Sequence, residues 1–211
     1  MSDDKSEKGK LTRRQFIVGA GVTVAAVGAG AVILGNGGSK EKNEQPEHAA
    51  HALEGAVPIT LKVNGKTRDL KLQPRVTLLD ALRERLQLTG PKRVCDRGTC
   101  GCCTVLLDGE PAYACMMLAI DAQRYEITTV EGLGTPEQMT AVQRKFVEKD
   151  GLMCGFCTPG FVTAVHAVLA RNPKATLEEI RKGLRGNICR CGTFNRVFQA
   201  AVEAAREMRR A

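Results

Sequence analysis

The 211-residue chain has no tryptophan, two tyrosines and six phenylalanines. A core built with so few rings needs a supplement to apolar bulk, and bound metal is a good candidate. Histidine is also scarce, at three residues, and His166, on a predicted helix, reads as a surface or interface side chain rather than a base. No nucleophile–base pair, paired carboxylates or phosphate loop can be found, so the chain offers no substrate chemistry of its own. The glycines of Gly19–Gly30 fail as a dinucleotide fingerprint, because no strand with an acidic residue follows at the required distance. No internal repeat links the two halves. The net charge of +8 comes without a helix-turn-helix, zinc-finger or aromatic-plus-basic pattern, which argues against nucleic acid. Removing residues 1–54 takes away seven basic and seven acidic residues and leaves 24 against 16. The surplus therefore belongs to the folded part, as a solvated surface or one that docks an acidic protein.

Against these absences stand nine cysteines. Cys95-Asp96-Arg97-Gly98-Thr99-Cys100-Gly101-Cys102-Cys103 is followed, after a strand-like Thr104–Leu107, by Cys115. Read as C-x4-C-x2-C with a fourth cysteine further on, Cys95, Cys100, Cys103 and Cys115 have the spacing of a plant-type [2Fe–2S] site. Gly98 and Gly101 supply backbone that can take positive φ and approach a metal closely. Cys154, Cys157, Cys189 and Cys191 form a second set of four. Cys102 is left over, and the odd count argues weakly against a pure disulfide framework.

Residues 1–35 read as a targeting segment. A polar stretch ends in Thr12-Arg13-Arg14-Gln15-Phe16, and Phe16 to Gly35 then runs for twenty uncharged residues, with five Gly, five Ala and five Val. Two adjacent arginines before a weakly apolar run resemble a twin-arginine export signal, which predicts a periplasmic protein. The run is also long enough to anchor the chain in the membrane. Ala50-His51-Ala52 fits a small-x-small cleavage site but lies well beyond that run. Residues 36–56 are polar, Gly-rich and mixed in charge, and read as a flexible linker in which His48 and His51 are solvated.

Folded structure is expected from Val57. Ile59, Leu61 and Val63 alternate, Asn64-Gly65 predicts a two-residue hairpin turn, and Lys66–Leu72 is a second strand with Leu70 and Leu72 inward. Thr77 is placed to cap a helix running to about Gln87, with Leu78, Leu79, Leu82 and Leu86 on one face and Gly90-Pro91 as its stop. Thr104–Leu107 and Glu110–Tyr113 make a second hairpin about Asp108-Gly109, and Tyr125–Val130 a last strand. Two hairpins around one helix predict a β-grasp domain over residues 57–132. Residues 133–211 read as helical: an amphipathic Met139–Lys149, a helix opened by Thr158 as cap and Pro159 at its first position, a short helix with Thr-x-x-Glu capping at Thr176 and Glu179, and a closing helix Phe194–Arg209. The fold class is α+β.

Cys154-x2-Cys157 and Cys189-x-Cys191 come from two distant segments, as pairs that hold one metal centre between helices do. Zinc is an alternative, since C-x2-C is common in zinc sites, but C-x-C is less usual there. Disulfides would suit an exported chain. They conflict with a twin-arginine signal, whose route carries proteins already folded around their cofactors.

The stretches 95–109, Cys-Gly-Phe-Cys-Thr-Pro-Gly (154–160) and Gly-Asn-Ile-Cys-Arg-Cys-Gly (186–192) resemble, in order and spacing, the small iron–sulfur subunit of the xanthine oxidase family of molybdenum hydroxylases. With the export signal, the resemblance is to the small subunit of periplasmic aldehyde oxidoreductases. It implies two [2Fe–2S] clusters, a β-grasp domain and a four-helix domain. By the same resemblance, Cys95, Cys100, Cys103 and Cys115 hold the cluster farther from molybdenum. Cys154, Cys157, Cys189 and Cys191 hold the nearer one, with Cys191 beside the pterin. The implied partners are a large molybdopterin-binding subunit and a flavin subunit or haem protein as acceptor. The family usually has Gln before Cys-Gly-Phe-Cys, and here that residue is Met153, whose thioether cannot make a two-way amide contact. Other classes compatible with the cysteines are a free-standing ferredoxin-like carrier or redox sensor, a zinc-stabilised binding module, and a subunit of a nitrogen-heterocycle hydroxylase.

Overall fold

The computed structural model describes residues 55–210. The export segment 1–35, the linker over 36–54, His48 and His51 lie outside the described residues. The described chain is mixed α/β, with one five-stranded sheet followed by helices.

Strands β1 (Val57–Val63) and β2 (Lys66–Leu72) pair antiparallel through the Asn64-Gly65 turn. Both turn residues have positive φ, 51° and 71°, the backbone that lets a two-residue hairpin follow the strand twist. Strands β3 (Thr104–Leu107) and β4 (Glu110–Tyr113) repeat the arrangement about Asp108-Gly109, at φ 50° and 84°. Strand β5 (Glu126–Thr128) lies between the hairpins, parallel to β1 and antiparallel to β3, giving the order β2-β1-β5-β3-β4. It is shorter than the expected Tyr125–Val130, because the chain leaves the sheet for a 3-10 turn over Val130–Gly132.

Ile59, Leu61, Val63 and Leu72 point from the sheet onto Leu78, Leu79 and Leu82, and all seven are buried. Helix α1 (Leu78–Asp80) starts where expected, with the Thr77 hydroxyl accepting from the Asp80 N–H at 3.1 Å. It then widens into a π turn over Ala81–Arg85. The stop is not Gly90-Pro91. The Leu86 N–H reaches Ala81 O, the Leu88 N–H closes onto Leu82 O, and Gln87 turns left-handed at φ 57°, so the orphan carbonyls are satisfied as in a Schellman ending. Gly90 serves a contact instead, its N–H donating to Glu131 Oε1 at 2.6 Å.

Every residue of β3 is buried. Val105 and Leu107 enter the first core. By strand alternation Thr104 and Leu106 face the other way, toward helix α3 (Thr158–Arg171), which packs on this strand. This contact brings the two cysteine regions together. Helices α2 (Ala141–Glu148), α4 (Leu177–Gly183) and α5 (Phe194–Met208) complete a second core around Val142, Phe146, Phe161, Val165, Ile180 and Val197. Phe161 and Phe194 meet edge to face, centroids 5.9 Å apart. Met139 stays outside α2, because Thr140 caps it in a capping box with Gln143. Thr176 and Glu179 form the expected box on α4.

Candidate metal centre

The loop from Cys95 to Cys103 has almost no regular structure, and its shape is set by three left-handed residues: Asp96, Gly98 and Gly101, at φ 55°, 69° and 67°. The turn leaves Cys95 half-buried and buries Cys100, Cys102 and Cys103, while Cys115 enters from a 3-10 turn after β4. Cys95 is in side-chain contact with Cys100, and Cys103 with Cys115. Burial raises the Cys95 thiol, but hydrogen bonds from Thr99 and from the backbone N–H groups of Arg97 and Thr99 outweigh it and hold the group at about 6. Cys103 is pushed up to about 12, chiefly by burial.

The second set is assembled from the two segments expected. Cys154, Gly155 and Phe156 form a loop, and Cys157 caps α3. The expected cap was Thr158 with Pro159 at the first helical position. The helix begins one residue earlier, so Thr158 is its first residue and Pro159 its second. Proline is tolerated there because the early N–H groups of a helix lack intrahelical partners anyway. Cys189 and Cys191 lie in the turn before α5. Cys154 contacts Cys191, and Cys157 contacts Cys189. Burial raises Cys189, but the Thr193 hydroxyl, 3.1 Å from its Sγ, and neighbouring N–H groups bring it down to about 7. A hydrogen bond from the Phe156 backbone lowers Cys154. Burial pushes Cys157 up to about 12.

Among the described residues no three His, Cys, Asp or Glu side chains are grouped to hold a metal ion. The eight thiols outside Cys102 meet as Cys95 with Cys100, Cys103 with Cys115, Cys154 with Cys191 and Cys157 with Cys189, and Cys102 also contacts Cys100. A [2Fe–2S] cluster takes four cysteine thiolates, and its two sulfide-bridged irons each need two of them. Two pairs per set fit that need in donor type and number. A zinc ion needs its four donors at one point.

Cys102 lies between the sets. It is buried, approaches Cys100 O at 3.9 Å, and feels the thiols of Cys100 and Cys157. Its own thiol is pushed up to about 12, mainly by burial. Acidity does not set it apart, since Cys103 and Cys157 are raised as far. Its place between the pairs does. His166 is half-buried on α3, and burial lowers its pKa. Met153 is exposed beside Cys154, Leu152, Phe156 and Ile188 are exposed as well, and the Lys92 ammonium lies 5.8 Å from the Phe156 ring centroid.

Sequence reasoning missed the residues that join the sets. Asn187, buried, donates from Nδ2 to Gly101 O at 3.0 Å, and the Ile188 N–H donates to Cys100 O at 2.9 Å. Asn187 stands inside the quoted 186–192 stretch, yet nothing local to it signals a partner in the first loop.

Residues 61–126 match the 2Fe-2S iron-sulfur cluster binding domain family, and residues 129–202 the [2Fe-2S] binding domain family. Residues 1–34 match the TAT signal of the ubiquitinol-cytochrome C reductase Fe-S subunit. Among the described residues no helix is long and apolar enough to cross a membrane. The chain is 42% identical over 214 residues to the aldehyde oxidoreductase iron-sulfur-binding subunit PaoA of Escherichia coli O157:H7, covering 94% of this chain and 90% of that one. It is 40% identical to the nicotinate dehydrogenase small FeS subunit of Eubacterium barkeri, covering 68% and 92%. A chain of quinoline 2-oxidoreductase from Pseudomonas putida 86 superposes with a TM-score of 0.70 at 40% identity, covering 74% of this chain and 98% of that one. The chain belongs to the iron–sulfur small subunits of the molybdenum hydroxylases.

Proposed function

We propose that Cys95, Cys100, Cys103 and Cys115 bind one [2Fe–2S] cluster and that Cys154, Cys157, Cys189 and Cys191 bind a second. The observation that carries this reading is the gathering of eight cysteines into two sets of two pairs on either side of one backbone seam. When bound, each cluster supplies one-electron redox chemistry at nearly fixed geometry. The protein's own work is to hold the thiols in place and to fix the spacing between the sets, with Cys154 and Cys191 left exposed on the side of the second. Thr193, hydrogen-bonded to Cys189, and Thr99, bonded to Cys95, stabilise thiolates. Such bonds favour the charged form that metal ligation requires.

In this reading the second set faces a molybdopterin-binding large subunit and the first a flavin subunit or haem protein, and likeness to the small subunits of molybdenum hydroxylases supports it. The exposed Leu152, Met153, Phe156 and Ile188 around the second set are the apolar side chains such a subunit would cover. In this reading the sheet with α1 is a β-grasp domain over residues 57–132, and residues 133–211 form the helical cluster-binding domain. The TAT-signal match over residues 1–34 and the likeness to PaoA over 94% of the chain support periplasmic export and aldehyde oxidation. Affinity purification of the tagged chain from its own cells tests the assignment. Recovery of a molybdenum-containing large chain in fixed proportion is expected, and a chain isolated alone with both clusters would make it a free carrier instead.

A further inference from the structure

Three chain segments that carry cysteines converge where side chains would not fit. A Cβ on Gly160, three residues after Cys157, would lie 2.3 Å from Gly101 O and 3.0 Å from Cys102 Cα. A Cβ on Gly101 would lie 2.5 Å from Gly186 O. A Cβ on Gly186 would lie 1.6 Å from the Tyr113 hydroxyl oxygen. The first loop, the start of α3 and the turn before Cys189 are therefore packed backbone against backbone.

One side chain ties this junction by hydrogen bonding. Asn187 Nδ2 donates to Gly101 O at 3.0 Å and approaches Thr104 Oγ1 at 3.4 Å, while the Thr104 hydroxyl donates to the same carbonyl at 2.6 Å. The next residue's N–H donates to Cys100 O at 2.9 Å. These groups are buried, where a hydrogen bond is stronger and an unmet one most costly. Asn187 is two residues from Cys189, and Gly101 directly follows Cys100, so these few bonds couple one ligand turn to the other.

We propose that Asn187 is a positioning residue for electron passage: it fixes the separation of the two cysteine sets by clamping the Cys189 turn to the Gly101 carbonyl. The proposal rests on the two-cluster reading. Asparagine fits the task because the site offers an acceptor, and a carboxylate of the same shape could only repel it.

The test uses Asn187→Asp, which keeps the shape and loses the donor, and Asn187→Ala, which loses both, each purified as the intact complex. Iron content and EPR of the fully reduced protein are read together with the rate of electron transfer between the two centres. The expected result is full iron and two signals in Asn187→Asp, with weakened magnetic interaction between them and inter-centre transfer slowed several-fold. Two signals with wild-type interaction and rate would overturn the clamp. Loss of either signal from both variants would also overturn it, by making Asn187 a folding residue. A wild-type protein without two signals would fail the cluster reading itself, a different outcome.

Discussion

Gly160→Ala puts the seam to a test whose sign depends on the structure. In a helix free of neighbours, alanine in place of glycine stabilises by up to about 1 kcal/mol. Here the new Cβ would stand 2.3 Å from Gly101 O, where ordinary contact begins at 3.4 Å, so about 1.1 Å must be found. Both nearest groups are backbone, Gly101 O and Cys102 Cα, and neither can rotate away. Overpacking costs about 1–3 kcal/mol, and an overlap this deep against backbone falls in the upper half of that range, about 2–3 kcal/mol. Set against the helix gain, the net loss is about 1–2 kcal/mol. For a unit of this size that is a fall in Tm of roughly 2–8 °C. Thermal unfolding of the cluster-loaded protein, followed by circular dichroism and by the visible absorption of the clusters, measures it. A Tm equal to or above that of the wild type would refute the close approach of α3 to the first loop.

Other outcomes follow from the same structure. Cys102→Ser should leave iron content and both EPR signals intact, and loss of a signal would make Cys102 a ligand in place of one of the four proposed. Thr140→Ala and Thr176→Ala each remove a capping box, so each should lower stability by about 1 kcal/mol in denaturant titration, and no change would argue against these helix starts. Arg13→Lys combined with Arg14→Lys should retain the cluster-loaded chain in the cytoplasm when cell fractions are compared by immunoblot. Normal export of that variant would remove the twin-arginine reading.

What could be read from the sequence follows from how local the physics is. The Asn64-Gly65 and Asp108-Gly109 hairpins were legible because such turns demand positive φ at two adjacent positions, which few residue pairs accept. Thr176 and Glu179 announced a helix start through a three-residue hydrogen-bond pattern. Thr140 and Gln143 carry the same pattern, whereas hydrophobic spacing alone extends that helix back to Met139. At Thr158 the Thr-Pro pair pointed to a cap one residue too late, since proline suits the second helical position as well as the first. The π turn after Asp80 left no local mark. It arises where the chain must reverse at Gln87, and Arg83 reaches over to Thr89 O and Pro91 O. The division of the cysteines between two regions of the chain could be read from their spacing. The seam between them was not, because the contacts that Gly101, Gly160, Gly186 and Asn187 make across it are with partners scores of residues away.

The central claim is that this chain holds two separate [2Fe–2S] clusters on the eight named cysteines. Low-temperature EPR of the dithionite-reduced complex tests it most directly, with wild type, Cys154→Ser and Cys100→Ser side by side. The account predicts two distinct S = 1/2 signals in the wild type, with a different one lost in each variant. A colourless, zinc-containing protein, or a single signal abolished by both substitutions, would contradict it.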